Sequence, residues 1–215
     1  MRTITVKGMG KISVKPNLIV VSFRVESKDK DYDKTLELGS QKIDLLNKSL
    51  EKIGFEKNDI KTTNFDVQAN YESVKDENGR YRNVFKEYCL NHNLKVEFDF
   101  DMKRLGEVLH SITQSGTKPE FSISFTVKDP SEIKQKLLEE AAKEAKETAK
   151  VLCRQTGVKL GDLVSIDYNW DEINVFSPTL YKMESRSMVG AKVCNDIQPE
   201  NINLSDNATF VWEIL

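Results

Sequence analysis

One segment of the chain recurs further along with its landmarks in the same order. Each copy has a Lys-Pro pair, an apolar run, a long amphipathic segment, a Gly, and an Asp next to a second apolar run. The landmarks are Lys15, Pro16, Gly54 and Asp59 in the first copy, and Lys118, Pro119, Gly157 and Asp162 in the second. Both copies therefore predict strand, helix and strand, and repeats of this size are typical of two supersecondary units that share one core. We expect a single domain over 1–215, with repeat halves at about 12–71 and 115–170.

The segments between the landmarks complete a fold prediction. Apolar residues alternate with polar ones on both sides of the turn sequence Asp76–Gly79, which predicts a projecting β-hairpin at about 65–100. A short amphipathic helix follows Asp101, and Asp129-Pro130 is a helix start signal. The residues at 171–200 show no clear period and predict a long loop. The fold class expected is α+β: a mostly antiparallel sheet with two long helices and one short helix packed on it, related by a pseudo-two-fold internal repeat.

Several residues are predicted to serve the backbone rather than chemistry. Gly8-Met9-Gly10-Lys11 lacks the spacing of a phosphate-binding loop and no helix follows it, so a tight turn between two strands is expected. Asp59 and Asp162 are expected to accept local backbone N–H bonds in turns, although a functional acid–base pair is the alternative. The candidate structural turn residues are Gly8, Gly10, Pro16, Gly54, Asp59, Gly157 and Asp162.

Composition narrows the function classes. The net charge is only −2 with 31% charged residues of mixed sign, so no broad basic face is expected and nucleic acid is not an expected partner. Cys89, Cys153 and Cys194 lie far apart and predict reduced thiols; if one senses oxidants, Cys194 in the predicted loop is the candidate. No apolar run is long enough for a membrane helix. No export signal opens the sequence, so a cytoplasmic location is expected, or a periplasmic or envelope location if a signal was removed.

The sequence offers no catalytic constellation. His92 is in register with the apolar Leu90 and Leu94, which predicts a hydrogen-bonded core histidine, and His110 lies beside the apolar stripe of its helix. Two histidines give little support for a nucleophilic triad, and neither has a metal-binding spacing. We therefore expect no catalytic residues, no metal and no cofactor, and a protein that is not an enzyme.

Aromatic and methionine side chains in the hairpin and in the predicted loop are candidates for contacts with another chain, because such residues are enriched at interface cores. For the loop residues, the alternative is that the loop folds back over its own sheet. The candidate interface residues are Tyr71, Tyr81, Phe85, Tyr88, Trp170, Phe176, Tyr181, Met183 and Met188.

The order and spacing of several short motifs resemble those of the SIMPL-domain family, a bacterial family of unknown function that includes periplasmic immunogenic proteins and stress-linked envelope proteins. The motifs are Ile4–Gly10, Val14–Asn17, the helix ending at Gly54, Asp59–Phe65, Tyr71 and Ile197–Ile202. The family usually has Pro-Asp where this chain has Pro16-Asn17. The resemblance implies an α+β fold, self-assembly into rings or larger closed oligomers in some members, and a link to oxidative or envelope stress. It supplies no established catalytic residues.

Three functions follow from this reading, in order of support. The first is a non-enzymatic homo-oligomer that assembles through its hairpin and loop. The second is a small-molecule or peptide-binding module with a pocket between the two halves. The third is a hydrolase of an unrecognised type that uses Asp59, Asp162 or His92.

Overall fold

The computed structural model describes residues 2–77, 79–168, 173–183 and 197–215. A short 3₁₀ turn, Lys57–Asp59, precedes the third strand. The elements in chain order are β1 (Thr3–Val14), β2 (Leu18–Asp29), α1 (Tyr32–Glu51), β3 (Lys61–Lys75), β4 (Tyr81–Asp99), α2 (Met102–Gln114), β5 (Glu120–Thr126), α3 (Pro130–Thr156), β6 (Leu160–Tyr168), β7 (Phe176–Met183) and β8 (Ile202–Ile214).

The chain forms two compact units. The first unit comprises Met1–Asn17, Thr126–Pro178 and Pro199–Leu215, and the second comprises Leu18–Phe125 and Thr179–Gln198. The strands form a three-stranded sheet with the order β1-β8-β6 and a five-stranded sheet with the order β3-β4-β2-β5-β7.

In the first unit, α3 packs closely on the three-stranded sheet. Asp129 caps the helix by accepting the N–H of Ser131, and Gly157 ends it at a φ of 74°. Its buried side chains recur at every fourth position: Ile133, Leu137, Ala141, Ala145, Ala149 and Cys153. Three of these six form an alanine row, Ala141, Ala145 and Ala149, and the first two lie against Gly8 of β1. A Cβ built on Gly8 would lie 2.0 Å from the carbonyl oxygen of Ala141, so the helix can approach only a strand without side chains there.

In the second unit, α1 and α2 cover one face of the five-stranded sheet. The inward residues of β2 alternate as Ile19, Val21, Phe23 and Val25, and they form one core with residues of both helices and of β5. Gly39 of α1 lets that helix approach β4, because a Cβ at this position would lie 2.0 Å from Cδ2 of Leu90.

The α+β fold class is confirmed: the sheets are mostly antiparallel, with two long helices and one short one. Both repeat copies have the predicted strand–helix–strand order, as β2-α1-β3 and β5-α3-β6. The first copy contributes both strands to the five-stranded sheet, whereas the second contributes β5 to that sheet and β6 to the other. That the chain is one domain over 1–215 stays a prediction.

Two turn predictions were wrong. Gly8 and Gly10 do not form a turn but lie inside the continuous strand β1, opposite Ala208 and Asp206 of β8. Their missing side chains serve helix packing and not a change of chain direction. Asp162 does not precede a strand either: it lies within β6, in the stretch where the pairing with β8 shifts its register.

The other turn predictions agree with the structure. Pro16 lies in the link between β1 and β2, and Gly54 adopts a φ of 87° after α1. Asp59 accepts the backbone N–H of Glu56 at 2.8 Å, which is the local capping role expected for it.

The predicted loop at 171–200 contains a strand, β7, so this part of the prediction was wrong. The exposed positions of β7 are occupied by Phe176, Pro178, Leu180 and Lys182, whereas Ser177 is buried. From Phe176 to Leu180 the apolar side chains are exposed and the more polar ones face inward, so the usual alternation is inverted there and this part of the sequence does not look like a strand.

Candidate interaction surface on the hairpin

The β3–β4 hairpin extends beyond the rest of its sheet. β4 pairs with β2 from Leu18↔Asp99 to Asp29↔Tyr88, whereas β3 and β4 continue to pair with each other as far as Lys75↔Tyr81. Beyond Tyr88, each strand of the hairpin is therefore paired only with the other among the strands that the structure describes. The hairpin predicted from sequence is present, and its outer end projects past β2.

A row of aromatic side chains lies on one face of this outer hairpin. Cross-strand partners share a face of a sheet, and the register pairs Tyr71 with Phe85, Lys75 with Tyr81 and Ala69 with Tyr88. Tyr71, Tyr81 and Phe85 are 61%, 72% and 39% exposed. The structure thus brings four of the predicted interface residues together on one surface, which we call the aromatic face.

The rings of the aromatic face contact one another. The ring centroids of Tyr71 and Phe85 are 6.1 Å apart in an edge-to-face arrangement, and those of Phe85 and Tyr88 are 5.0 Å apart. Tyr32, at the start of α1, adds a further edge-to-face contact with Tyr88 at 5.4 Å. The sequence does not mark Tyr32 as an interface candidate, because its spacing predicts a place among the inward residues of α1. In the structure Tyr32 is the first residue of that helix and lies beyond the core, so its side chain is exposed.

The opposite face of the outer hairpin is more polar. There the register pairs Glu72 with Val84 and Val74 with Arg82. Lys86 forms an ion pair with Glu72 at 3.7 Å. Val74 and Val84 are exposed on this face, so the hairpin offers two apolar positions away from the rings as a comparison.

Of the candidate interface residues from the predicted loop, the structure describes the side chains of Phe176 and Tyr181. Phe176 is exposed on β7, but Tyr181 packs against the core of the second unit, which is the alternative in which the segment folds back over its own sheet. Trp170, Met188 and Cys194 lie outside the described residues, as does the side chain of Met183.

A polar network covers the face of the five-stranded sheet opposite the helices. Arg24 Nε donates to Asn91 Oδ1 at 3.0 Å, and Asn91 Nδ2 donates to Asp66 Oδ2 at 3.4 Å. Lys28 Nζ lies 2.5 Å from Glu26 Oε1, and this bond is the main reason why the pKa of Glu26 is lowered.

A shallow groove of about 540 Å³ runs along this face within the second unit. The buried amide oxygen of Asn93 bonds to no group that the structure describes. The groove is lined by Ser22, Phe23, Arg24, Thr63, Asn93, Glu120, Phe121, Ser122 and Lys182.

The structure describes both histidines and two of the three cysteines considered in the sequence analysis. His92 Nε2 is hydrogen bonded to Thr62 Oγ1 at 2.9 Å, and its ring lies edge-to-face with Phe65 at 5.1 Å. His110 is exposed on α2, as predicted. Cys89 and Cys153 are free, buried thiols, and burial is the main cause that raises the pKa of Cys89.

The setting of His92 predicts a pH dependence of stability. Burial lowers the pKa of this imidazole below its ordinary value of 6.5. As the pH falls below 6.5, the unfolded chain takes up a proton on this residue before the folded chain does, so folding loses free energy. We expect wild-type stability to fall between pH 7.5 and 5.5 more steeply than that of His92→Gln, measured by urea unfolding.

The exposed histidine gives the control for this experiment. His110→Gln should follow the pH dependence of the wild type, because it removes an exposed histidine of α2 and leaves His92 in place. Parallel pH profiles for the wild type and His92→Gln would show that His92 is not held neutral by folding.

Comparison with known proteins agrees with the resemblance seen in the motifs. The family model SIMPL, described as a protein of unknown function (DUF541), matches residues 4–212. No curated protein matches the chain. Of the helices that the structure describes, none combines the length and apolarity needed to cross a bilayer.

Proposed function

Because the chain belongs to the SIMPL family, whose function is unknown, we propose a role from its geometry: a non-enzymatic protein that self-associates through the aromatic face of its hairpin. The observation that carries this proposal is the exposure of three aromatic side chains on one side of the outer hairpin, which pairs with no third strand in the described part of the chain.

Exposed aromatic rings in a contiguous row are the composition expected of an interface core. Tyr and Phe bring a large apolar area at a small cost in side-chain entropy, and they are enriched among the residues that dominate binding energy. Tyr71, Phe85 and Tyr88 form such a row with Tyr32, and Tyr81 extends it towards the turn. A partner that covers this row removes apolar area from water.

Within the formed hairpin, the rings of the row also restrain one another. The edge-to-face contacts restrict the rings, so less rotamer freedom remains to be lost on association. The exposed apolar area and this preorganisation act in the same direction, and both favour association through the hairpin.

Binding of a small molecule or peptide is less well supported by the geometry. It would use the groove on the polar face, where the orphan amide oxygen of Asn93 is an available acceptor. However, Arg24 of this lining already donates to Asn91 and lies 3.9 Å from Glu26. Since this guanidinium is already engaged within the protein, we rank ligand binding second.

The native mass tests the proposal. We expect the wild type to elute as a species of several subunits by size-exclusion chromatography with light scattering, and to do so at high salt because the contact is apolar. The double variant Tyr71→Ser/Phe85→Ser should shift towards the 24.6 kDa monomer, with a dissociation constant raised at least tenfold.

The opposite face of the same hairpin gives the matched control. Val84→Ser replaces an exposed apolar residue of β4 that is not on the aromatic face, and its mass should remain that of the wild type. A wild type that is monomeric at high protein concentration would refute the proposal. So would an oligomer that neither variant changes.

A further inference from the structure

The open edges of the two sheets differ in how they are protected. Each edge strand presents unpaired N–H and C=O groups, which can pair with a strand of another molecule. The edge strands are β1 and β6 in the three-stranded sheet and β3 and β7 in the five-stranded sheet.

Three of these strands carry a feature that blocks pairing. On β1, the N–H of Met9 is already donated to Glu144 Oε2 of α3 at 2.5 Å. On β6, the register against β8 shifts twice, between Leu160 and Ser165, and such irregularity bends an edge away from a new partner. On β7, Pro178 removes a backbone donor.

β3 carries none of these features along its outer part. From Asn64 to Lys75 it contains neither Pro nor Gly. The register shift in this stretch comes from an extra residue on the other strand, Lys86 of β4, so β3 itself stays regular. Most of its side chains are exposed, and none of the described backbone hydrogen bonds outside the regular elements involves this stretch.

From this contrast we infer that the β3 edge is where a second copy of the chain pairs, β3 against β3 and antiparallel. This inference rests on the proposed self-association and specifies its geometry. The partner is a second copy because the regular stretch can pair with itself in a register that places no like charges directly opposite each other.

Two conditions select that register. Residues opposite each other must lie on the same face of the sheet, so odd positions meet odd positions and even positions meet even ones. When Asn64–Lys75 pairs with the same stretch of a second copy, two pairings meet this condition over the greatest length. One is centred on residue 69, which then faces residue 69 of the second copy, and the other is centred on residue 70. Centring on Ala69 would place Asp66 opposite Glu72 of the second copy, which is destabilising for like charges.

Centring on Asn70 avoids that repulsion. Glu72 then lies opposite Gln68, and Lys75 lies opposite Phe65, where an ammonium can rest against the ring. Tyr71 lies opposite Ala69, so the aromatic faces of the two copies adjoin along the shared edge. The pairing therefore brings the two aromatic faces side by side, so that Tyr71 of each copy packs against the row of the other and part of both rows is removed from water.

Disulfide cross-linking tests this register directly. In a Cys194→Ser background, the further substitution Asn70→Cys should give a covalent dimer under mild oxidation, because directly opposite Cα atoms lie about 4.5–5.5 Å apart. Asp66→Cys and Val74→Cys should each cross-link poorly alone but should give a mixed disulfide dimer when the two proteins are combined. The Cys194→Ser parent, which keeps the buried Cys89 and Cys153, sets the baseline, and circular dichroism confirms folding.

The outcomes separate the geometry from the assembly itself. Cross-linking at Asn70, together with the mixed Asp66–Val74 product, would support the edge pairing. An oligomeric mass without either product would overturn the edge pairing and leave self-association standing. A monomeric wild type would refute both. Equal cross-linking of all three single variants would overturn the register, since random collision does not select positions.

Discussion

Replacing Gly8 with Val should destabilise the protein by about 3 kcal/mol or more, at the upper end of what overpacking costs. The reason is the contact with α3: a Cβ at Gly8 would lie 2.0 Å from the carbonyl oxygen of Ala141 and 2.8 Å from Cβ of Ala145. The first of these atoms belongs to the helix backbone, so no side-chain rotation can relieve the clash. The helix would have to move off β1, with loss of contacts along its whole alanine row.

Urea unfolding followed by circular dichroism measures this effect, and another glycine supplies the control. Gly106 lies within α2, and a Cβ built there meets nothing within 4 Å. Gly106→Ala should therefore stabilise the protein by about 0.5–1 kcal/mol through helix propensity alone. If Gly8→Val unfolds at the wild-type urea midpoint, the close approach of α3 to β1 does not hold.

Replacing Leu137 with Ala should cost about 2–5 kcal/mol, the range for removing a buried leucine side chain and leaving a cavity. Leu137 is fully buried and packs with Val127, Ile133, Val175 and Ile202 in one core of the first unit. It also stands over Gly10, whose Cβ would lie 2.0 Å from the Leu137 carbonyl oxygen. The rigid helix–strand contact around it limits how far the cavity can collapse.

Leu152→Ala on the same helix is the matched comparison. Leu152 is 45% exposed, so the same chemical change should alter the urea midpoint by about 0.5 kcal/mol or less. Equal costs for the two leucines would contradict the packing direction of α3. The comparison is informative because the sequence pattern places Leu152 on the inward stripe, whereas the structure places the neighbouring Cys153 there.

The glycines and leucines compared above show which features of the fold cannot be predicted from local sequence. The helices, their caps and the hairpin are set by local signals: Asp129 with Pro130, Gly157 in the left-handed region, and the turn at Asp76–Gly79. The role of Gly8 depends on Ala141, which is distant in sequence. A Gly-x-Gly sequence fits a turn and a close helix contact equally well, so its local pattern does not decide between them.

The same limit applies to the candidate site. Alternation along the hairpin predicts that Tyr71, Tyr81, Phe85 and Tyr88 could contact another chain, and the structure places them on one face. Alternation alone does not reveal the extra residue Lys86, which keeps Phe85 on the same face as Tyr88 despite an odd spacing. Nor does it reveal that the ring row continues onto Tyr32, because this contact joins a strand to the first turn of a helix.

Of the described strands, only β3 and β4 pair with each other beyond Tyr88, and this has a thermodynamic consequence for any assembly built on the outer hairpin. A two-stranded ribbon without a third strand is only marginally stable, so its backbone amides should open at a small fraction of the cost of global unfolding. A second copy that pairs along β3 supplies the missing strand and binds only the closed ribbon. Ordering of the hairpin and association are then a single linked equilibrium, in which protein concentration sets the fraction of hairpins that are formed.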